Sequence, residues 1–260
     1  MPFNEHEITG RLKTSFIGRP LYFHSKIDST NNAAYSLALK GANEGTVVVA
    51  DSQEKGKGRL GRRWESPEGV NIYTSIILRP DILPTLAPQI TLLAGVSVAE
   101  TISQYLKKKP SLKWPNDVLL NSKKTAGVLT EMNSDAGRIN FIIMGIGINL
   151  NMTADMFPYE LRHIATSLKE ETGKEISREE FLQTLYLAIE RWYKIYLKSG
   201  FKPICEGWKN YSNMGGKLVR IKDKDREIEG VALTIDDNGY LIIRDESGNI
   251  IKIISGDVSV

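Results

Sequence analysis

Short apolar runs separated by polar turns dominate the first 150 residues. "LYFHSKIDST" reads as a strand leading into a helix start, where Asp28, Ser29 or Thr30 stands at the N-cap of "NNAAYSLALKG" and Gly41 stops it. "GTVVVAD" is almost wholly apolar and β-branched, as a strand buried on both faces should be. "NIYTSIILRP" predicts the next strand, and Leu86–Lys109 a long helix ending in lysines that suit its C-terminal dipole. "LKWPNDVLL", "TAGVLTEM" and "INFIIMGIGINLN" follow as strand-like runs. "SREEFLQTLYLAIERWYKIYLKSG" is the clearest helix, with Ser177 and Glu180 as a capping box, Leu182, Leu185, Ile189 and Trp192 on one stripe, and Gly200 at its end. After Ser212, "KLVRIK", "EIEGVALTI", "YLIIRD" and "IIKIIS" alternate with the tight turns "DKDR", "DDNG" and "ESGN", the rhythm of a small β-barrel or sandwich. The pattern predicts a large α/β domain over 1–212 and a small all-β domain over 213–260.

Composition changes this picture little. The chain has 260 residues, 41% hydrophobic and 25% charged, ordinary for a globular protein. A single cysteine, Cys205, excludes an internal disulfide and points to a reducing compartment, so a cytoplasmic location is expected. No N-terminal run resembles a signal peptide, and no apolar stretch reaches about 18 residues, so no membrane association is expected. Net charge is +3, too mild to announce a nucleic-acid binder. Residues 215–260 hold seven Lys/Arg and nine Asp/Glu, or −2, which leaves +5 on residues 1–214 and favours a local anionic ligand.

That charge concentrates where the "GTVVVAD" strand ends. In "QEKGKGRLGRRW", Gly56, Gly58 and Gly61 alternate with Lys57, Arg59 and Arg62, and Trp64 closes the run. Bare backbone and fixed cations together suit an anion-binding loop, although a solvated basic loop would have the same composition. It is neither a P-loop nor a dinucleotide fingerprint. "DSTNN" offers mixed donors and acceptors for a neutral polar ligand, or simply a helix cap. In "KWPNDVLLNSKKTAGVLTE", Trp-Pro-Asn-Asp reads equally as a turn, but Lys124 entering an apolar strand calls for an anionic partner. In "GIGINLN", Gly145 and Gly147 permit close approach to the backbone, and Asn149 could read an amide or nucleobase edge.

In this order and spacing, Ser29-Thr30-Asn31, Gln53 with "GKGRLGRRW", "KWPND…KKTAGVL.E" and "GIGINLN" resemble the blocks of the biotin–protein ligases, across essentially the whole chain. The resemblance implies an α/β core like that of class II aminoacyl-tRNA synthetases, a mixed sheet flanked by helices and related to lipoate ligases, plus the small C-terminal barrel-like domain. It implies ATP and biotin as substrates with Mg²⁺, biotinyl-5′-AMP as intermediate, and transfer to one lysine of a biotin carboxyl carrier protein. It places Ser29, Thr30, Asn31 and Gln53 on the ureido end of biotin, and Lys57, Gly58 and Arg59 along the biotin–adenylate linkage. Lys124 is expected on the biotin carboxylate and then on the phosphoryl oxygens. Gly56, Arg62, Trp64, Asn116 and Asn149 are expected at ATP, with Trp64 as wall or adenine stack and Asn149 as adenine reader. Lys124, Arg59 and Asp117 are the expected catalytic residues, Asn116 and Asp117 organising Mg²⁺–phosphate or the incoming amine; no protein-held metal site is expected. Two features depart from the family. Lys57 replaces the usual arginine and loses its bidentate fork. The chain is also read as a short form, without the DNA-binding domain of members that act as repressors, and so without a nucleic-acid partner. A homodimer through a sheet edge is expected. The alternatives are a lipoate–protein ligase, a nucleic-acid-binding protein using the basic loop, and a carrier-binding module that gives no reason for Lys124.

Overall fold

The period-two alternation of the central strands sorts their side chains onto two faces that meet different partners. The structure, a computed structural model, describes Phe3, residues 5–223 and residues 226–259; the "DKDR" turn lies partly outside these. Seven strands form one mixed sheet in the order β1 (Leu21–Ile27), β2 (Val47–Gln53), β3 (Ile72–Leu78), β7 (Arg138–Ile148), β6 (Lys123–Asp135), β5 (Asp117–Leu120) and β4 (Ser111–Lys113). Only β1 and β2 pair in parallel, joined by the crossover helix α2 (Thr30–Leu39); all other pairs are antiparallel.

On one face, Val47, Val49, Ile72, Ile76, Ile142, Met144, Ile146 and Ile148 join the main core beneath α3 (Pro88–Ser103) and α5 (Arg178–Ser199). On the other, Val48, Ile77, Phe141 and Ile143 meet Ala34 and Ala38 of α2. That helix is short. Past Ile143 the same face of β7 carries Gly145 and Gly147, and the sheet is left bare there.

The helix and strand expectations hold with three corrections. α3 stops at Ser103, short of the lysines, because Gln104 and Tyr105 donate to the carbonyls three residues back and tighten the last turn. Pro84–Ser103 is, by length and composition, long and apolar enough to cross a membrane, contrary to expectation; it is the buried core helix. At α2, neither Asp28, Ser29 nor Thr30 caps by side chain: the Thr30 N–H donates to Gln53 Oε1 at 2.9 Å instead. The pattern also missed α1 (Glu5–Gly10), α4 (Leu168–Thr172) and α6 (Lys202–Tyr211). In α6, Pro203 near the start and Ile204, Cys205 and Trp208 on one buried stripe were the available signal. In α5, Ser177 Oγ accepts from the Glu180 N–H as expected, and Leu182, Leu185 and Ile189 are fully buried.

The C-terminal strands β8 (Leu218–Asp223), β9 (Arg226–Ile235), β10 (Leu241–Arg244) and β11 (Ile250–Ile253) gain an unpredicted fifth, β12 (Asp257–Ser259), in an antiparallel sheet ordered β11-β10-β9-β8-β12. Three residues carry no periodicity, so only pairing with β8 makes β12 a strand. Val219, Ile221, Leu241 and Ile243 belong to the same apolar cluster as the main core. Trp114 seals the junction: it is buried and donates its indole N–H to Gly239 O at 2.9 Å.

A buried carboxylate closes the N-terminal segment onto α5. Glu190, 4% exposed, accepts from the backbone N–H groups of Ser15, Phe16 and Ile17 at 2.9–3.1 Å and from Lys194 Nζ at 2.7 Å. Burial would raise its pKa, but Lys194 and the three backbone donors outweigh it and bring it to about 2. A folded pKa below the unfolded value gives stability that is complete above about pH 4.5 and is lost as pH falls toward 2. Glu190→Gln should cost about 2 kcal/mol at pH 7 and flatten stability between those two pH values; urea denaturation of both proteins across that range measures it.

Candidate functional site

The bare part of the sheet is a row running straight across five strands. Tyr73 on β3 pairs with Gly147, Gly147 with Gly127, Gly127 with Asp117, and Asp117 with Lys113. Cross-strand partners share a face, so two adjacent glycines make a trough between a tyrosine and a charged end. The Trp64 indole lies in it: a Cβ on Gly147 would come within 2.6 Å of the ring, and one on Gly127 within 3.1 Å. Trp64 Nε1 is buried there without a hydrogen-bond partner.

One row deeper, Ser75 pairs with Gly145. A Cβ on Gly145 would sit 2.0 Å from Asn31 Oδ1, so glycine is required for Asn31 to lie on the sheet. Asn31 Oδ1 accepts from Ser75 Oγ at 2.7 Å, and its Nδ2 donates to Glu131 Oε2 at 2.7 Å. Thr30 Oγ1 bridges Ser75 Oγ at 2.8 Å and Gln53 Oε1 at 3.1 Å, and Gln53 Nε2 donates to Ser66 Oγ at 3.0 Å. Ser29, Thr30 and Asn31 are all buried. The result is a closed set of amide and hydroxyl groups at the inner end of the trough.

The Gly/Lys/Arg segment folds back on itself. Gly58 N donates to Arg62 O at 2.7 Å, Trp64 N to Gly56 O at 2.9 Å, and Lys57 and Arg63 form a bridge. The glycines serve different ends. Gly61 takes φ +73°, which favours glycine, whereas a side chain on Gly56 would strike Trp64 O at 2.4 Å. Leu60 also takes a positive φ and is 73% exposed. At the root of the segment, Arg178 forms a buried ion pair with Asp51, whose Oδ1 also accepts from Gly69 N.

The cations around the trough are paired with protein carboxylates. Lys124 Nζ lies 2.6 Å and Lys113 Nζ 3.2 Å from Asp117. Burial would raise the Asp117 pKa; the two lysines outweigh it and hold the carboxyl below its usual range. A bulge between Val118 and Leu119 lets Leu119 pair with Lys124 rather than Thr125. Strict alternation would send Lys124 to the core face with Ala126; the bulge turns it toward Gly127 and Trp64, whose ring centroid is 5.5 Å away. Lys57 pairs with Glu131 at 3.0 Å. Arg59 reaches Asn116 Oδ1 (3.2 Å), Gly256 O (3.2 Å) and Asp257 Oδ1 (3.3 Å), and Arg62 also pairs with Asp257. Burial lowers the Arg59 pKa, with Asp117 opposing and Arg62 reinforcing.

Ser29, Thr30, Asn31, Gln53, Lys57, Gly58, Arg59, Arg62, Trp64, Asn116, Asp117, Lys124 and Asn149 thus line one cavity of about 740 Å³. Gly56 does not; it packs behind Trp64. Asn149 is buried with its Nδ2 committed to Thr166 O at 3.1 Å, leaving Oδ1 as its acceptor. The sequence reading missed Ser75, Lys113 and Glu131, whose signals were a polar residue in an apolar strand and charges inside a quoted block. It also missed Lys217, Lys222 and Asp257, which bring the C-terminal sheet into the cavity.

A core of this topology is matched by known proteins. The sequence profile of the "Biotin/lipoate A/B protein ligase family" matches residues 23–149, and that of the "Biotin protein ligase C terminal domain" residues 215–260. The bifunctional ligase/repressor BirA of Bacillus subtilis is 42% identical over 99% of this chain and 79% of its own length. A biotin–[acetyl-CoA-carboxylase] ligase of Paracoccus denitrificans is 33% identical over 86% of this chain and 94% of its own. The biotin protein ligase of Aquifex aeolicus in complex with biotin and ATP superposes with a TM-score of 0.79 at 34% identity, covering 92% of this chain and 97% of that one. The chain belongs to the biotin protein ligase family. Gly145→Ala should cost about 1–3 kcal/mol by overpacking or expel Asn31 from the recess; thermal melting, with biotin binding by calorimetry, distinguishes the two.

Proposed function

We propose that this chain is an AMP-forming biotin–[acetyl-CoA-carboxylase] ligase: it joins biotin to ATP and passes the biotinyl group to a lysine of a biotin carboxyl carrier protein. The observation that carries this is the trough itself, neutral hydrogen-bonding groups at one end and fixed cations at the other. A ureido ring supplies two N–H donors and one carbonyl to Ser29, Thr30, Asn31, Gln53 and Ser75. A dithiolane would leave those groups without ligand partners, which disfavours lipoate. The Trp64 ring, seated on Gly127 and Gly147, supplies an apolar wall for an aliphatic tail.

In the first half-reaction a biotin carboxylate oxygen attacks the α-phosphorus of ATP, and pyrophosphate leaves. Lys124 and Arg59 neutralise the carboxylate and the phosphoryl oxygens where charge gathers. Asp117, which also pairs with Lys113, holds the Lys124 ammonium at the trough's end until that anion arrives. Arg62 contacts phosphate, and Asn149 Oδ1 accepts from the adenine amino group. Mg²⁺ would enter with ATP's own phosphates and neutralise their charge, and Asn116 and Asp117 are the residues that would offer it oxygen donors. In the second half-reaction the carrier amine attacks the acyl carbon and AMP leaves. The depressed pKa of Asp117 makes it a weak base, suited to orienting the amine rather than deprotonating it. The surrounding cations favour the neutral amine instead.

Arg59 ties the loop to Asn116, Gly256 and Asp257, which supports a lid over the reactive anhydride. Pairing of the loop's cations with carboxylates inside the cavity argues against a nucleic-acid partner. A cytoplasmic location and a homodimer through the exposed edge of β1 complete the reading, with the division at 212/213 as the domain boundary. Three outcomes are expected. Labelled pyrophosphate should exchange into ATP with biotin but not with lipoate, before any carrier is added. Lys124→Ala should slow that exchange about 100-fold or more with unchanged circular dichroism. Arg59→Gly should still form adenylate but release it faster, labelling serum albumin in dilute solution; retention equal to the parent would sink the lid.

A further inference from the structure

Amides and hydroxyls can hydrogen-bond in either direction, so groups that cannot turn must decide which atoms of the recess donate. Gln53 is fixed by the Thr30 backbone N–H, which only donates. That N–H faces Oε1 at 2.9 Å, and Nε2 is left to donate to Ser66 Oγ at 3.0 Å. Asn31 is fixed by two groups that only accept. Its Nδ2 lies 2.7 Å from Glu131 Oε2 and 3.3 Å from Leu129 O, which turns Oδ1 toward Ser75. Ser75 Oγ has one proton, with Asn31 Oδ1 at 2.7 Å and Thr30 Oγ1 at 2.8 Å in its reach, and Thr30 donates its own to Gln53 Oε1 at 3.1 Å. Both hydroxyl protons are thus spent on protein oxygens. Asn31 Oδ1, Thr30 Oγ1 and Gln53 Oε1 keep lone pairs, and all three residues line the cavity. Glu131 does not line it; its second oxygen, Oε1, accepts from Lys57 Nζ at 3.0 Å, which anchors the carboxylate from the loop side.

We propose that Glu131 sets the hydrogen-bonding polarity of the recess, and with it the preference for a head group that presents N–H donors. It is a positioning residue, acting on the ligand only through Asn31. This rests on the ligase reading above, in which a ureido ring brings two such donors. Turning the Asn31 amide over would set Oδ1 against the Glu131 carboxylate and offer Nδ2 to Ser75. Ser75 would then accept, and a donor would stand where the recess now has an acceptor. Leu129 O, at 3.3 Å, resists that turn weakly; the charged acceptor at 2.7 Å resists it strongly. A ring of the same size without N–H groups would meet oxygen against lone pairs and be rejected.

A swap of the two side chains tests this. In Glu131→Gln the new amide has one oxygen for two donors, Asn31 Nδ2 and Lys57 Nζ, so Asn31 must turn or Lys57 must lose its partner. Asn31→Asp sets two carboxylates face to face. In the Asn31→Asp/Glu131→Gln pair, the glutamine Nε2 donates to Asp while its Oε1 accepts from Lys57, and the other Asp oxygen still accepts from Ser75. In pyrophosphate exchange, Glu131→Gln should raise the KM for biotin about tenfold with kcat within about twofold, and Asn31→Asp should raise that KM at least as much. The double variant should return to within about threefold of the parent, the non-additivity expected of one shared hydrogen bond. An unchanged KM in Glu131→Gln, or a double variant no better than the worse single, would overturn the proposal. A loss in kcat instead of KM would overturn it too, and assign Glu131 to the loop through Lys57. Should either single variant fail to fold by circular dichroism, recovery of biotin KM in the double variant still decides. If the parent shows no biotin-dependent exchange, the ligase reading falls and this role of Glu131 falls with it.

Discussion

The chemistry of this protein depends on how much of one sheet face α2 covers. A ten-residue helix seats Ala34 and Ala38 on Val48, Ile77, Phe141 and Ile143 and then ends. The rest of that face must be closed by ligand or loop, because the opposite face is already committed to α3 and α5. Glycine at 127, 145 and 147 keeps the surface low enough for Asn31 and the Trp64 ring to lie directly on backbone. The polar recess begins where the helix starts: the Thr30 N–H is satisfied by Gln53 from the neighbouring strand, which ties the helix end and the recess into one network.

Charge is organised by the same geometry. A cavity ringed by lysines and arginines would repel itself if its cations stood alone, and each of those on the main sheet and loop has a carboxylate within reach. Asp117 serves two lysines, and Asp257, on the C-terminal sheet, serves two arginines of the loop. These pairings hold the cations in place, and an incoming carboxylate or phosphate can replace the protein's anion at modest cost since most of the pairs stay partly hydrated. Asp257 has a second consequence, coupling the loop to the C-terminal sheet. The two sheets share one apolar cluster through Trp114, so the small domain acts as a wall of the site rather than an appendage.

Much of this was legible in the chain. β-branched runs predicted the strands because a buried strand needs little beyond local shape and hydrophobicity. The four polar blocks carried the recess, the loop and the charged end because their residue types have few other reasons to stand together. Trp-Pro-Asn-Asp shows the limit. It reads as a turn, and it is one, but its tryptophan is the seal between two sheets, which no local property announces.

The sequence by itself determined most strands of the core, the helices α2, α3 and α5, the family, and the polar residues of four blocks that line the cavity, since these follow from local periodicity and residue chemistry. Tertiary structure alone decided which of them meet. Alternation would have buried Lys124 beside Ala126; a bulge opposite β5 delivers it to the trough. Nothing near Arg59 in the chain indicates Asp257, 198 residues away. β12 is too short to have a pattern, and only pairing with β8 sets its acid between the loop arginines and Lys222. Register and long-range pairing are settled by how two sheets pack, and that information is spread over the whole chain rather than held in any one segment.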